Sequence, residues 1–147
     1  MNAAALHIVF KVGGAEYVIP ADLVLQMESF AGATRVPGSP SWVAGIVQIR
    51  GRVIPVVDLR LRFGLPSIAS TLDSRIVVGK SGNRSVGLLV DSAREVLNIS
   101  PNEVSDPPSM VTEQADGFVK AVARPGKRLL MLIDFEKVIG EEKLHGN

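Results

Sequence analysis

Short runs of alternating apolar and polar residues, separated by glycine-containing turns, cover much of the chain. Every second residue from Leu6 to Val12 is apolar, Gly13-Gly14 follows, and Tyr17 to Ile19 form a second run. This pattern predicts an opening β-hairpin. Ala21-Asp22-Leu23 then predicts a single helical turn, and Val24 to Phe30 predicts another strand.

The strongest hairpin signal lies in the middle of the chain. Two β-rich runs, Ile46 to Ile49 and Arg52 to Val57, flank the turn residues Arg50-Gly51, and glycine accepts the positive φ that such turns require. Asp58 is suited to cap a short helix from Leu59 to Phe63, which Gly64 would end.

Two further hairpins and three long connections complete the pattern. The hairpins are predicted at Arg75 to Gly79 with Val86 to Val90, and at Phe118 to Ala123 with Leu129 to Ile133. Glu95 to Ile99 fits either a strand or a helical turn. Loops are expected at Pro37 to Pro40, Leu65 to Ser74 and Ser105 to Gly117.

The two halves of the chain share a local pattern. Asp58 begins the segment DLRLRFG, and Asp134 begins DFEKVIG, and each aspartate follows a hairpin that contains a glycine turn. The repeat covers only about twenty residues in each half. It predicts two similar small β units, each closed by a helical turn.

Composition narrows the functional classes. The chain has 147 residues, no cysteine, and sixteen basic against fifteen acidic residues, so neither a disulfide framework nor a protein that neutralises many phosphates is expected. The first residues lack the pattern of a signal peptide, and no apolar run is long enough to span a membrane. We therefore expect a cytoplasmic protein without nucleic-acid binding or direct membrane insertion.

Residues for catalysis are scarce. His7 and His145 are the only histidines and lie far apart in the sequence, which disfavours a metal site or a positioned general base. Asp58, Asp91 and Asp134 each follow an apolar run and are better explained as capping residues than as catalytic carboxylates. We expect no enzyme activity, no cofactor and no metal; a small β-barrel enzyme or ligand carrier is the disfavoured alternative.

Binding residues are more evident. Arg50 lies beside Gly51 in an apolar hairpin, and arginine is favoured at interfaces because its planar fork makes several directional hydrogen bonds; the alternative is a solvated turn. Gln26 and Glu28 share one strand face under the period of two, which also fits a solvent-exposed face. Trp42, the only tryptophan, either anchors its loop on the core or serves an interface.

Five segments, in this order and covering Leu6 to Gly140, resemble the CheW family of bacterial chemotaxis coupling proteins. They are FKVG to Tyr17, VPGSP from Val36, GIVQIRGRVIPVVDLR from Gly45 to Arg60, VGLLVD from Val86, and LIDFEK from Leu132. The resemblance implies a single domain over residues 1–147, mainly β, of two intertwined five-stranded SH3-like barrels with short helical turns. It also implies a non-catalytic adaptor that joins the cytoplasmic tips of chemoreceptors to the regulatory domain of the histidine kinase CheA.

The resemblance also implies site residues. Arg50 with Gly51 corresponds to the family's receptor-contacting motif, Val24 to an apolar receptor-facing position, and Gly45 to a glycine beside the kinase-facing surface, to which we also assign Trp42. Gln26 stands where the family usually has a glutamate that pairs with the motif arginine, and Glu28 is a possible substitute. Ala121 replaces a usual glycine. The alternative function is a CheW-like scaffold of a non-flagellar array, for surface motility or a second-messenger enzyme, which the same motifs fit.

Overall fold

The structure, a computed structural model, describes residues 4–109 and 117–141. Two β-sheets make up most of this part of the chain. Its strands are β1 Ala5–Val12, β2 Ala15–Pro20, β3 Val24–Ser29, β4 Val43–Ile49, β5 Arg52–Asp58, β6 Arg75–Ser81, β7 Arg84–Val90, β8 Ser92–Ile99, β9 Val104–Ser105, β10 Val119–Ala123 and β11 Leu130–Ile133. Its helices are α1 Leu59–Arg62 and α2 Phe135–Ile139, with 3-10 turns at Ala21–Leu23 and Pro101–Glu103. All predicted hairpins are confirmed.

The sheets form two SH3-like barrels that exchange a hairpin. Barrel one is the five-stranded sheet in the order β3-β6-β7-β5-β4, and barrel two is the six-stranded sheet in the order β8-β1-β2-β11-β10-β9. The N-terminal hairpin β1-β2 therefore completes barrel two, whose other strands come from the C-terminal half. The predicted mainly β, intertwined fold is confirmed, but one sheet has six strands because β9 pairs with β10.

The internal repeat is visible in the topology. In barrel one β5 runs parallel to β7, and in barrel two β11 runs parallel to β2. Each of these strands, β5 and β11, leads into a short helix whose N-cap is the predicted aspartate: Asp58 accepts hydrogen bonds from the backbone N–H groups of Arg60 and Leu61, and Asp134 from that of Lys137. The cap satisfies N–H groups that the first helical turn leaves without partners.

The largest apolar cluster lies between the barrels, not inside either one. Phe10, Leu59, Leu88 and Ile133 belong to it and are almost completely buried. A smaller cluster fills the interior of each barrel. Full burial of one such side chain contributes about 1.5–3 kcal/mol, so the barrels stabilise each other and form one structural frame.

Some local predictions need revision. Of the two options for Glu95 to Ile99, the strand is confirmed, since these residues belong to β8. The 3-10 turn Pro101–Glu103, closed by a capping box between Ser100 and Glu103, was not predicted. The predicted loop from 105 to 117 begins at β9, and its residues 110–116 lie outside the described residues. Among the described helices, none is long and apolar enough to cross a membrane.

Candidate functional site

Arg50 occupies the tip of the hairpin β4-β5 in a backbone conformation that arginine rarely adopts. Its φ is 53°, that of Gly51 is 80°, and Arg50 is the only non-glycine residue with positive φ in the described chain. Two successive positive φ angles match the two-residue turn that suits a twisted hairpin. The side chain is 75% exposed, so the turn presents a guanidinium to solvent at a small conformational cost.

Glu28 supplies the carboxylate that faces Arg50. Its Oε2 atom lies 3.6 Å from Nε of Arg50 and accepts a 2.7 Å hydrogen bond from Nε2 of Gln26. The expected sharing of one strand face by Gln26 and Glu28 is therefore seen. Glu28, considered above as the substitute for the family's glutamate, thus faces Arg50 from a position two residues further along β3 than Gln26.

Val24 does not join this cluster. A β-bulge between Val24 and Gln26 shifts the register of β3 on β6, because Val24 pairs with Gly79 and Gln26 with Val78. Such a bulge puts Val24 and Gln26 on opposite faces. Val24 packs against the apolar cluster between the barrels, while the side chain of Gln26 hydrogen-bonds to Glu28, which faces Arg50.

Trp42 serves both as a core anchor and as the wall of a groove. The guanidinium carbon of Arg62 lies 3.8 Å from the centre of its ring and 4.7 Å from that of Phe118. Trp42 also lines an apolar groove. The other apolar residues lining the groove are Val36, Pro37, Pro40, Val43, Ile46, Pro55, Val57, Val86 and Ile139.

Gly45 has a backbone role that the sequence did not indicate. Its φ is 143°, and a Cβ atom there would lie 2.2 Å from the carbonyl oxygen of Thr34. Ile46, the residue after Gly45, exchanges two backbone hydrogen bonds of 2.9 and 2.8 Å with Thr34. Glycine at 45 therefore permits the segment around Thr34 to close against β4.

Arginines from α1 tie the barrels together. Arg62 donates from Nε to the carbonyl oxygen of Val138 at 2.8 Å and from Nη2 to that of Lys137 at 3.0 Å, so it caps the end of α2. Arg60 binds both carboxylate oxygens of Asp91, at 2.9 and 2.8 Å. The distant partners of these two arginines carry no local sequence signal, so sequence analysis did not identify either contact.

Asp91 is therefore not the capping residue that the sequence predicted. Besides Arg60, it accepts a 2.9 Å hydrogen bond from the backbone N–H of Gly13, which joins it to the hairpin β1-β2. Burial alone would raise the pKa of Asp91, but the hydrogen bonds from Arg60 and Gly13 and the charge of Arg60 outweigh it and lower the pKa. Asp91 thus acts as a charged link between elements of both barrels.

The described residues offer no evident metal centre. No group of three or more His, Asp or Glu side chains is arranged to hold an ion in residues 4–109 and 117–141. His7 is buried, with Nδ1 2.9 Å from the carbonyl oxygen of Ala5, and His145 lies outside the described residues. What the described chain presents instead is two candidate binding surfaces, the Arg50 turn and the Trp42 groove.

Comparison with known proteins gives a consistent result. Residues 7–143 match the family model for the CheW-like domain. The chain is 35% identical to the chemotaxis protein CheW of Bacillus subtilis over 135 residues, covering 92% of this chain and 86% of the relative. It is 29% identical to that of Rhizobium meliloti over 142 residues, covering 97% and 92%. The crystal structure of the scaffolding protein TtCheW from Thermoanaerobacter tengcongensis matches with a TM-score of 0.85 at 28% identity, covering 97% of this chain and 95% of that one.

Proposed function

The chain belongs to the CheW-like domain family, and on that premise we propose that it is a non-catalytic, cytoplasmic adaptor that couples chemoreceptor tips to a CheA-type histidine kinase. The receptor would bind at the Arg50 turn, with Gly51 and Gln26 beside it; Val24, the other expected receptor-facing residue, lies on the opposite face of β3. The regulatory domain of the kinase would bind at the Trp42 groove beside Gly45. Neither surface calls for a cofactor.

The observation that carries this proposal is the exposed, conformationally constrained guanidinium of Arg50. An arginine with φ of 53° and 75% side-chain exposure costs stability compared with asparagine or glycine at the same place. Such strain is characteristic of residues that serve a function. Arginine is also among the residues that dominate binding energy at protein interfaces.

The second surface has the chemistry of a protein-binding groove. Trp42 and three prolines line it together with aliphatic side chains, with Arg84 and Glu141 as its charged residues. Apolar anchors surrounded by polar residues supply most of the affinity of a typical interface. Because the Arg62 guanidinium lies against the Trp42 ring and holds it in place, the groove needs little rearrangement on binding.

A frame that presents two surfaces suits an adaptor. The barrels share one apolar cluster and are joined by Arg62 and by Arg60 with Asp91. A partner bound at Arg50 and another at Trp42 would then be held at a fixed distance and orientation. Signal would pass through the geometry of the assembly, without chemistry in this chain.

Titration calorimetry with the regulatory domain of the cognate kinase tests the proposal. We expect a dissociation constant in the micromolar range, about −8 kcal/mol. Absence of binding at about 100 μM, where a complex of that affinity is nearly saturated, would contradict it. The same experiment with kinases from flagellar and non-flagellar arrays separates the chemotaxis role from the alternative scaffold role.

A further inference from the structure

The internal repeat allows the ends of the two barrels to be compared residue by residue. Arg52 lies six residues before the N-cap Asp58, and Arg128 lies six residues before the N-cap Asp134. Lys80 pairs with Ser85 in the hairpin β6-β7, as Lys11 pairs with Glu16 in β1-β2.

The fourth position follows from the two β-bulges. Gln26 is the first residue of β3 paired after a bulge at Leu25, and Glu95 is the first residue of β8 paired after a bulge at Arg94. Each set of four lies on the strand faces that point into its barrel, by the period of two from the interior residues. We call these sets the mouth of barrel one, with Arg52, Lys80, Ser85 and Gln26, and the mouth of barrel two, with Arg128, Lys11, Glu16 and Glu95.

In the mouth of barrel two, two cations face two anions, and Arg128 binds both carboxylates. Arg128 donates two 2.8 Å hydrogen bonds to the carboxylate of Glu95 and one of 3.0 Å to Glu16. The hydrogen bonds to Glu95 and Glu16 raise the pKa of Arg128, and that to Arg128, with a contribution from Lys11, lowers the pKa of Glu95. Both carboxylates are thus bound by one arginine, while Lys11 contributes charge without an ion pair.

The mouth of barrel one has the same cations without the anions. Ser85 and Gln26 replace the two glutamates, and Arg52 makes a single 3.3 Å hydrogen bond to Oγ of Ser85. Within residues 4–109 and 117–141, no carboxylate oxygen lies within 4.0 Å of the charged nitrogens of Arg52 or Lys80. The nearby Glu28 is engaged with Gln26 and Arg50.

We propose that the mouth of barrel one is a docking site for acidic side chains of the partner protein that binds at Arg50. A partner glutamate or aspartate would occupy the place that Glu95 takes against Arg128 and would bind Arg52 through both carboxylate oxygens. Arg50 and Lys80 add positive charge on either side. The inference rests on the proposed receptor-binding role of Arg50 and specifies the chemistry of the partner: a segment with at least two carboxylates.

Charge complementarity supports a protein carboxylate as the occupant. The arginine fork matches the two oxygens of a carboxylate, and barrel two contains this pairing already formed between Arg128 and Glu95. A neutral partner segment would leave Arg52 and Lys80 without carboxylate partners and would bind more weakly. The site therefore discriminates between acidic and neutral segments.

The first test uses a defined probe and does not depend on the receptor. A blocked ten-residue peptide of alternating glutamate and serine is titrated into the ¹⁵N-labelled protein, with the glutamine-serine peptide as control. We expect amide shifts at Arg52, Lys80 and Gln26 with the acidic peptide only, abolished at about 0.5 M salt. No shifts there, or equal shifts at Lys11 and Arg128, would overturn the proposal.

The second test exchanges the two mouths. The double substitution Gln26→Glu with Ser85→Glu recreates the pattern of barrel two and should weaken binding of the acidic peptide and of a receptor signalling fragment about three- to tenfold, as expected for exposed ion pairs. The matched variant Glu95→Gln with Glu16→Ser recreates the pattern of barrel one and should add a binding site for the acidic peptide at barrel two.

The outcomes separate the two proposals. If the wild type couples receptor to kinase and the Gln26→Glu, Ser85→Glu variant binds both acidic ligands equally well, the docking site is wrong and the adaptor role stands. If the acidic peptide binds at barrel one but no receptor fragment does, the adaptor role fails while the anion site stands. Melting curves of both double variants confirm that each is folded.

Discussion

The carboxylate that faces Arg50 belongs to Glu28, whose Oε2 lies 3.6 Å from the Nε atom of Arg50. Gln26, at the place where a glutamate was expected, makes no hydrogen bond with the arginine but donates one to that same oxygen. At 3.6 Å the arginine is held by charge more than by a hydrogen bond. Arg50 thus remains available to a partner while its orientation is restrained.

This arrangement predicts that Gln26→Glu has a small effect. A second carboxylate beside Glu28 adds little to an exposed ion pair, which contributes about 0–1 kcal/mol. Receptor-dependent kinase activity should change by less than about tenfold. A double-mutant cycle between positions 26 and 50 measures the coupling, and an interaction above about 1.4 kcal/mol, a factor of ten, would contradict this prediction.

Arg50→Asn should stabilise the protein while impairing receptor coupling. Asparagine before Gly51 favours the positive φ of this turn, and the left-handed conformation costs arginine about 1 kcal/mol. The melting temperature should rise by about 2–4 °C. Arg52→Asn is the control, because the φ angle of Arg52 is not positive, and it should give no rise in melting temperature. A fall in melting temperature for Arg50→Asn would show that the turn is not strained.

Gly45→Ala should destabilise the protein strongly. The new methyl group would meet the backbone of Thr34, and φ of 143° is unfavourable for alanine. We expect a loss of more than about 2 kcal/mol in the free energy of unfolding, measured in urea. Gly38→Ala is the control, because φ is 81° but the space is open, and should cost about 1 kcal/mol.

The role of Gly45 also changes how substitutions there are interpreted. Because the family resemblance places Gly45 beside the kinase-facing surface, a loss of kinase binding in Gly45→Asp would by itself suggest direct contact. The contact with Thr34 means that this variant alters the segment around Thr34, next to the Trp42 groove. Kinase binding should fall together with hydrogen-exchange protection of the Thr34 and Ile46 amides; a loss of binding with full protection would indicate direct contact.

Arg62→Ala should destabilise the protein more than the loss of an ordinary surface charge does, because Arg62 joins the two barrels. It removes the contact with the Trp42 ring and the hydrogen bonds to the end of α2, with an expected loss of about 2–4 kcal/mol. Arg94→Ala removes only an exposed pair with Asp73 and should cost less than about 1 kcal/mol. Equal unfolding midpoints for the two variants would contradict the assigned role of Arg62.

The lowered pKa of Asp91 predicts a pH dependence. Because the folded state holds this carboxyl ionised, the stability it contributes is present above the pKa of the unfolded chain, about 4, and is lost as pH falls through the lower folded pKa. Asp91→Asn should therefore be less stable than wild type at about pH 7, with the difference shrinking below about pH 4. A difference independent of pH would contradict the charged link to Arg60.

The sequence predicted those features that depend on residues close together in the chain, and it missed those that depend on residues far apart. Hairpins and the caps Asp58 and Asp134 depend on neighbours in the chain, so local pattern predicted them. Asp91 resembles those caps in sequence, but its partners are Gly13 and Arg60, which only the exchange of the hairpin β1-β2 between barrels brings together. The bulge at Leu25 likewise separates Val24 from Gln26 in a way that a period of two cannot indicate.

Receptor-dependent autophosphorylation of the cognate kinase, measured with receptor-containing membranes, tests the adaptor role most directly. The wild-type protein should make kinase activity depend on receptor, and omission of the protein should abolish that dependence. Arg50→Glu should sharply reduce the coupling while kinase binding and melting temperature stay nearly unchanged, because the side chain is 75% exposed. Normal coupling by Arg50→Glu, or equal kinase activity with and without the wild-type protein, would contradict the account.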